Sequence, residues 1–321
     1  MTLEAGQALD RAAIPVVDIA PLRAGDGAQT VADALHRASR EVGFIYISNH
    51  GIPEAVLAEA RSEALAFFRA PEEQKGQLRI SASHRGWLGQ GGAKMQDDAK
   101  PDLKESFLWG YEAADGAVPD DHSLRGANLW PDFQPALRPK AMAYFEAAHA
   151  VAHTLMQGFA LGLGKPADFF LKTTAQPMSR ASFVYYPPQP ADGDRFGVAP
   201  HTDFGVLTVL AQDDVGGLEV QDVRGRWVAA PPIPGSLIVN VGDLLARWTN
   251  DAYRSTPHRV VNTSGRERLS LVLAYDPEPQ TVIDPRQVFG ADVETDYEAT
   301  TCGDYLTWRF AKAFAHRKAA G

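Results

Sequence analysis

His201-Thr202-Asp203, answered by His258 and then by Arg268-Leu269-Ser270, are the residues whose types and order suit a defined chemistry. Two neutral imidazoles and one carboxylate hold a divalent first-row metal on one face. The opposite positions stay open for ligands and O2, and iron(II) is the metal that uses this donor set for oxygen chemistry. A guanidinium presents a planar fork that matches a carboxylate in two parallel hydrogen bonds, so an arginine near such a metal suits the far end of a dicarboxylate. Burying that arginine in a β core is costly unless an anion meets it.

The elements that must position these groups are strands. Phe204-Gly205-Val206-Leu207-Thr208-Val209-Leu210 is rich in β-branched and aliphatic residues and reads as a strand. His201 and Asp203 are two apart at its mouth, which puts them on one face. His258 stands just before Val260-Val261 on a neighbouring strand and supplies the third donor. Arg268 and Ser270 open the alternating run Leu271 to Tyr275 and share a face by the same period of two. A lone histidine is usually an ordinary core or surface residue, and a strand-end arginine usually pairs with an acid such as Glu267. It is their succession that favours a site. Upstream, adjacent Tyr185 and Tyr186 face opposite ways on a strand, so one points inwards, where its phenol would donate a hydrogen bond to the far carboxylate. The alternative is a pair of plain strand aromatics.

Two other patterns carry less. His149 and His153 are four apart in a helical stretch, but Ala150 stands where the zinc-protease helix needs Glu, so both read as helix-packing or surface residues. Gly89-Gln90-Gly91-Gly92 lacks the Lys and Ser/Thr of a phosphate loop.

In this order, the motifs resemble the isopenicillin N synthase-like branch of the 2-oxoglutarate/Fe(II)-dependent dioxygenases. Ile14-Pro15-Val16-Val17-Asp18-Ile19 is similar to that family's first strand, and Glu41-Val42-Gly43-Phe44 through Asn49-His50-Gly51-Ile52-Pro53 to its N-terminal hallmark. Tyr185-Tyr186-Pro187-Pro188, the His-Thr-Asp segment, Gly216-Gly217-Leu218-Glu219-Val220 and Arg268-Leu269-Ser270 follow in family order. The resemblance implies Fe(II) on His201, Asp203 and His258, and 2-oxoglutarate anchored by Arg268 and Ser270 with Tyr186 beside them. It implies O2 as co-substrate, release of succinate and CO2, and oxidation, most often hydroxylation, of a small molecule. It also implies an N-terminal region over 14–125, a jelly-roll domain over 178–280 and a helical tail over 281–321. Segments like Ser81 to Tyr111 shape the substrate pocket in this family, which makes Arg85, Trp87 and Lys104 candidates for substrate contact. Ordinary loop residues are the alternative for each. Four rival readings use the same residues. They are an Fe(II) oxidase that grips its substrate's own carboxylate, an ethylene-forming relative, a non-catalytic barrel that senses a small acid, and a zinc hydrolase that leaves Arg268 and Ser270 unexplained.

Composition sets the outer bounds. A chain of 321 residues suits a β-barrel core with helical dressing, and 22 prolines with 28 glycines imply many loops. The net charge of -9, with no dense Lys/Arg face, argues against a nucleic-acid scaffold. The basic His316-Arg317-Lys318 reads as a frayed terminus. One cysteine, Cys302, excludes an internal disulfide framework and fits a reducing compartment. No apolar run approaches a membrane span, and Met1 to Ala13 is not a signal peptide, so a cytoplasmic location is expected.

The remaining elements follow from pattern. Thr30 to Asp33 reads as a capping box opening a helix to about Val42, and Phe44 to Ser48 as a strand. Helices are predicted from about Pro53 to Phe68, from Pro139 to Gly164 and from Asp304 to Ala315, with Ser81 to Tyr111 loop-rich. From Ser182 to Asp276 short β-rich runs alternate with turn residues, and Gly235 to Val241 is a buried strand. The fold class is α+β: a double-stranded β-helix, or jelly-roll, barrel flanked by helices.

Overall fold

Residues 14–92, 102–113, 115–189 and 196–314 are described by a computed structural model. In chain order, the N-terminal part contains β1 (Val16–Asp18), α1 (Ala20–Ala24), α2 (Ala28–Glu41), β2 (Phe44–Ser48), α3 (Glu54–Arg69), α4 (Glu72–Gly76), β3 (Gly86–Leu88) and β4 (Glu105–Gly110). The long helix α5 (Leu137–Gly162) leads into β5 (Arg180–Tyr186), β6 (Val198–His201), β7 (Leu207–Ala211), β8 (Leu218–Gln221), β9 (Trp227–Ala229) and β10 (Ser236–Val241). Then come α6 (Asp243–Trp248), β11 (His258–Val260), β12 (Arg268–Tyr275), β13 (Val282–Ile283), α7 (Pro285–Phe289), β14 (Thr300–Thr301) and α8 (Cys302–Ala313).

The strands form an eight-stranded sheet, β1-β2-β10-β7-β12-β5-β4-β3, facing a four-stranded sheet, β6-β11-β8-β9. The N-terminal strands extend both edges of the large sheet, so they are part of one β framework. One face of that sheet meets the small sheet across an apolar layer that includes Phe44, Val184, Val198, Leu210, Leu218 and Val260. Its other face is covered by α2, α3 and α5, through Leu35, Phe67, Leu155, Phe159, Leu271 and Leu273. With both faces covered, β7 is buried along its whole length. β12 divides its side chains by the pleat: Leu269, Leu271, Leu273 and Tyr275 go to the helical side, while Arg268, Ser270 and Val272 line the space between the sheets. This is the jelly-roll core that the turn rhythm predicts, and the structure adds that helices cover one face of the large sheet.

Several local expectations change. α2 begins at Ala28 behind Gly27, whose φ of 76° makes the turn, and no side chain caps it, so the Thr30-to-Asp33 box is unused. The segment expected to be loop-rich holds β3 and β4, and β3 is too short at 3 residues to leave a periodic signal. The tail helix starts two residues earlier than its spacing suggests, because the Thr301 side chain accepts the Asp304 N–H as its cap. The basic triplet at 316–318 and the segment from Met1 to Ala13 lie outside the described residues. Among the described residues no helix is long and apolar enough to cross a membrane. Cys302 is free and buried. His149 packs as helix spacing implies, between Phe145 and Tyr275 at centroid distances of 5.8 and 4.9 Å. Burial pushes its pKa down to about 4.

Candidate metal centre

β6 and β11 are antiparallel neighbours, and their register sets His258 directly opposite His201, with ring centroids 4.2 Å apart. Asp203 reaches the same point by a different route from the one the sequence implies. His201 ends β6, and Asp203 stands in the turn before β7 rather than on a strand face. That turn is held from below by the start of α6. Asp203 O accepts the Asp243 N–H at 2.7 Å, Gly205 O accepts Leu244 N–H at 3.0 Å, and Val206 O accepts Gly242 N–H at 3.0 Å. Asp276, fully buried, accepts the Val206 N–H at 3.0 Å and pairs with Arg180 at 3.0 Å. A side chain at position 205 would collide with the Asp276 carboxylate, which is why a glycine follows Phe204.

The three side chains converge, with one ligand atom from each lying within 4.8 Å of the others. Asp203 Oδ1 is 3.8 Å from His201 Nε2 and 3.6 Å from His258 Nε2. His201 Nδ1 lies 2.8 Å from Ala199 O and His258 Nδ1 lies 3.2 Å from Thr256 O. A carbonyl only accepts, so each Nδ1 carries a proton, and Nε2 is the nitrogen of each ring that is turned towards the carboxylate and offers its lone pair in the neutral form. Burial, reinforced by the neighbouring His258 ring, pushes the His201 pKa down to about 3, which keeps its imidazole neutral. Burial opposes ionisation of Asp203 too, but positive charge on the flanking His258 and His201 rings when they are protonated, with hydrogen bonds from Asn240 and Thr208, outweighs it and holds the carboxyl below its usual range. With both rings neutral, two lone pairs and an anionic oxygen face one point and repel one another unless a cation lies between them. The donor set therefore fits a divalent metal.

Across the same cavity, of about 190 Å³, lies Arg268. It is 1% exposed, and its Nε donates to Gly216 O at 2.6 Å. Its terminal nitrogens donate to Ser270 Oγ at 2.8 Å and Gln212 Oε1 at 3.5 Å. All these partners are neutral, and among the described residues no carboxylate lies within ion-pair distance. Tyr186 stands opposite Arg268 in the β5–β12 register and covers the guanidinium with its ring face at 4.6 Å. Tyr185 turns the other way, stacking on Phe68 and donating to Glu267 at 3.0 Å. The cavity is thus a metal-type donor set at one end and an unpaired buried cation at the other, with Leu210, Leu218 and Val272 among its apolar walls.

Two family profiles match the chain: the 2OG-Fe(II) oxygenase superfamily over residues 177–277, and the non-haem dioxygenase N-terminal region named for morphine synthesis over 14–133. The chain is 31% identical to homoarginine-6-hydroxylase 2-ODD-C23 of Glycine max, over 96% of this chain and 99% of that one. It is 32% identical to the 2-oxoglutarate-Fe(II) type oxidoreductase ppzC of Metarhizium majus, over 94% and 87%. The chain belongs to the 2-oxoglutarate/Fe(II)-dependent oxygenases. Its backbone superposes on a full-length Neurospora crassa protein, crystallised in complex with alpha-KG, with a TM-score of 0.83 at 28% identity, covering 96% of this chain and 100% of that one. The protein is an oxidoreductase of this family, using Fe(II), 2-oxoglutarate and O2. These relatives do not favour the readings without 2-oxoglutarate or without catalysis.

Of the oxygenase's three candidate substrate contacts, only Lys104 lines this cavity, with its Nζ 3.4 Å from Asp102 Oδ2. Arg85 does not reach it. Its guanidinium is buried and donates to the carbonyls of Ser83, His84 and Leu124, filling the space above Gly110. Burial, with Arg180 and Arg125 nearby, pushes its pKa down to about 9. Trp87 lines a separate cavity beside Gly89 and Gln90 and donates to Glu105 at 2.8 Å. Both residues are occupied in packing the β3–β4 edge. Sequence reasoning missed Asn240, Thr208, Asp243 and Asp276. The signal for Asn240 is a lone amide inside the apolar run Ile238-Val239-Asn240-Val241, where a buried polar group needs a partner.

Proposed function

We propose that His201, Asp203 and His258 ligate the Fe(II), that Arg268 and Ser270 receive the far carboxylate of 2-oxoglutarate, and that Tyr186 shields that ion pair from water. When bound, Fe(II) supplies the redox chemistry that couples oxidative decarboxylation of 2-oxoglutarate by O2 to oxidation of a second substrate. The residues do the positioning. Arg268 sets the reach of the dicarboxylate across the cavity, and its buried charge selects a diacid over a monoacid by leaving the shorter molecule unable to pair it. The apolar walls exclude water from the space between the sheets. Lys104 faces the primary substrate, a small molecule that undergoes hydroxylation.

One observation carries this reading: the buried Arg268 has only neutral partners and looks across one small cavity at the triad. Anaerobic loading with Fe(II) and 2-oxoglutarate, followed by exposure to O2 with a panel of small molecules, tests it. Homoarginine and thymine head the panel, since one relative is named for hydroxylating the first and the Neurospora protein was also crystallised with the second. Succinate formed in step with oxidised substrate is the expected result. Oxygen consumption with 2-oxoglutarate left intact would refute it.

A further inference from the structure

We propose that Asn240 and Thr208 are positioning residues that restrict Asp203 to a one-oxygen donor, preserving the positions that 2-oxoglutarate and O2 require. The inference rests on the assignment of Asp203 as a metal ligand. Asn240 on β10 and Thr208 on β7 are directly paired across the large sheet and project into the same cavity. Asp203 Oδ2 accepts from Thr208 Oγ1 at 2.5 Å and from Asn240 Nδ2 at 2.7 Å. Oδ1 is the oxygen nearest the two imidazoles, at 3.8 and 3.6 Å. Both positioning side chains are buried, with Ile238 and Leu210 one pleat away on the same strands.

The fold does not ask for these two residues. A valine at 208 or a leucine at 240 would pack in this apolar layer, and a buried amide and hydroxyl cost free energy unless they are bonded. What they achieve is local: two donors occupy the oxygen that points away from the ligand point. A carboxylate free to turn about its last bond binds a metal through one oxygen or both. In six-coordination, three single-atom protein donors leave three positions, enough for a chelating 2-oxo acid and one further ligand. A two-oxygen Asp203 would remove one of them.

The experiment uses full-length protein, loaded anaerobically, with Thr208→Val, Asn240→Leu and the conservative Thr208→Ser. Fe(II) affinity is measured by chelator competition. At saturating Fe(II), 2-oxoglutarate is titrated by the visible charge-transfer absorption of the chelate. Thr208→Val and Asn240→Leu should weaken 2-oxoglutarate affinity about tenfold or more, dim the absorption, and change Fe(II) affinity by a smaller factor. Thr208→Ser, which keeps the hydroxyl, should restore the titration towards wild type. Circular dichroism checks folding, and if Asn240→Leu does not fold the two Thr208 variants decide. Titrations that superimpose on wild type, or a loss confined to Fe(II) affinity, would overturn the proposal. Wild-type protein that binds Fe(II) but develops no absorption with 2-oxoglutarate would instead remove the underlying site assignment before any variant is compared.

Discussion

Replacing Arg268 with Met separates binding of the co-substrate from stability of the fold. The methionine keeps most of the side-chain length under the Tyr186 ring and removes the charge. In the wild type without 2-oxoglutarate, that charge is 1% exposed and meets only neutral acceptors on Gly216, Ser270 and Gln212. Removing it relieves the desolvation cost of an uncompensated ion but strands those acceptors, and the two effects oppose one another. The ligand-free stability should therefore change little. Binding should change greatly, because a carboxylate loses two charge-assisted hydrogen bonds worth at least about 1.5 kcal/mol each. About 3 kcal/mol corresponds to a dissociation constant roughly 150-fold weaker. At a concentration of about 100 times the wild-type dissociation constant, ligand stabilises the wild type by about 2.7 kcal/mol and the variant by only about 0.3 kcal/mol. Anaerobic denaturant unfolding of the Fe(II)-loaded proteins, with and without 2-oxoglutarate, reads both quantities. A variant that 2-oxoglutarate stabilises as strongly as wild type would refute the anchor.

Other outcomes test the supporting framework. Gly205→Ala drives a methyl group into the Asp276 carboxylate, which Arg180 and the Val206 N–H hold in place. It should cost about 1–3 kcal/mol in urea unfolding and lower Fe(II) occupancy, and a neutral result would show that the turn has room to move. Lys104→Met should raise KM for the primary substrate while leaving 2-oxoglutarate affinity within about threefold, because Lys104 pairs with Asp102 and its charge is felt at His201. An unchanged KM would dismiss Lys104 as a substrate contact. His149 titrates near 4 in the folded chain against 6.5 unfolded, so the unfolded state binds the proton first. Its contribution is therefore present above pH 6.5 and lost as the pH falls towards 4, on the order of 2 kcal/mol between about pH 7 and 5. His149→Phe should flatten that slope of stability against pH, and an identical slope would assign the loss to other groups.

That His201, Asp203 and His258 belong together was legible in the chain because metal chemistry demands particular residue types, and types are what a sequence states. The face shared by Arg268 and Ser270, and the jelly-roll rhythm of short strands and turns, were legible because a strand alternates its side chains with a fixed period. That same period misled at Asp203. The residue is brought to the metal point by a turn held on the N-terminus of α6 and on Asp276, contacts between segments far apart in the chain. Strand register placed His258 opposite His201 and turned Tyr186 rather than Tyr185 inwards, and register is set by pairing across the sheets. The β3–β4 edge, the retreat of Arg85 and Trp87 from the cavity, and the grip of Asn240 and Thr208 on one carboxylate oxygen were equally beyond local pattern. Each depends on which buried polar groups find one another once the sheets close, and that is decided by distances in space rather than by neighbours in sequence.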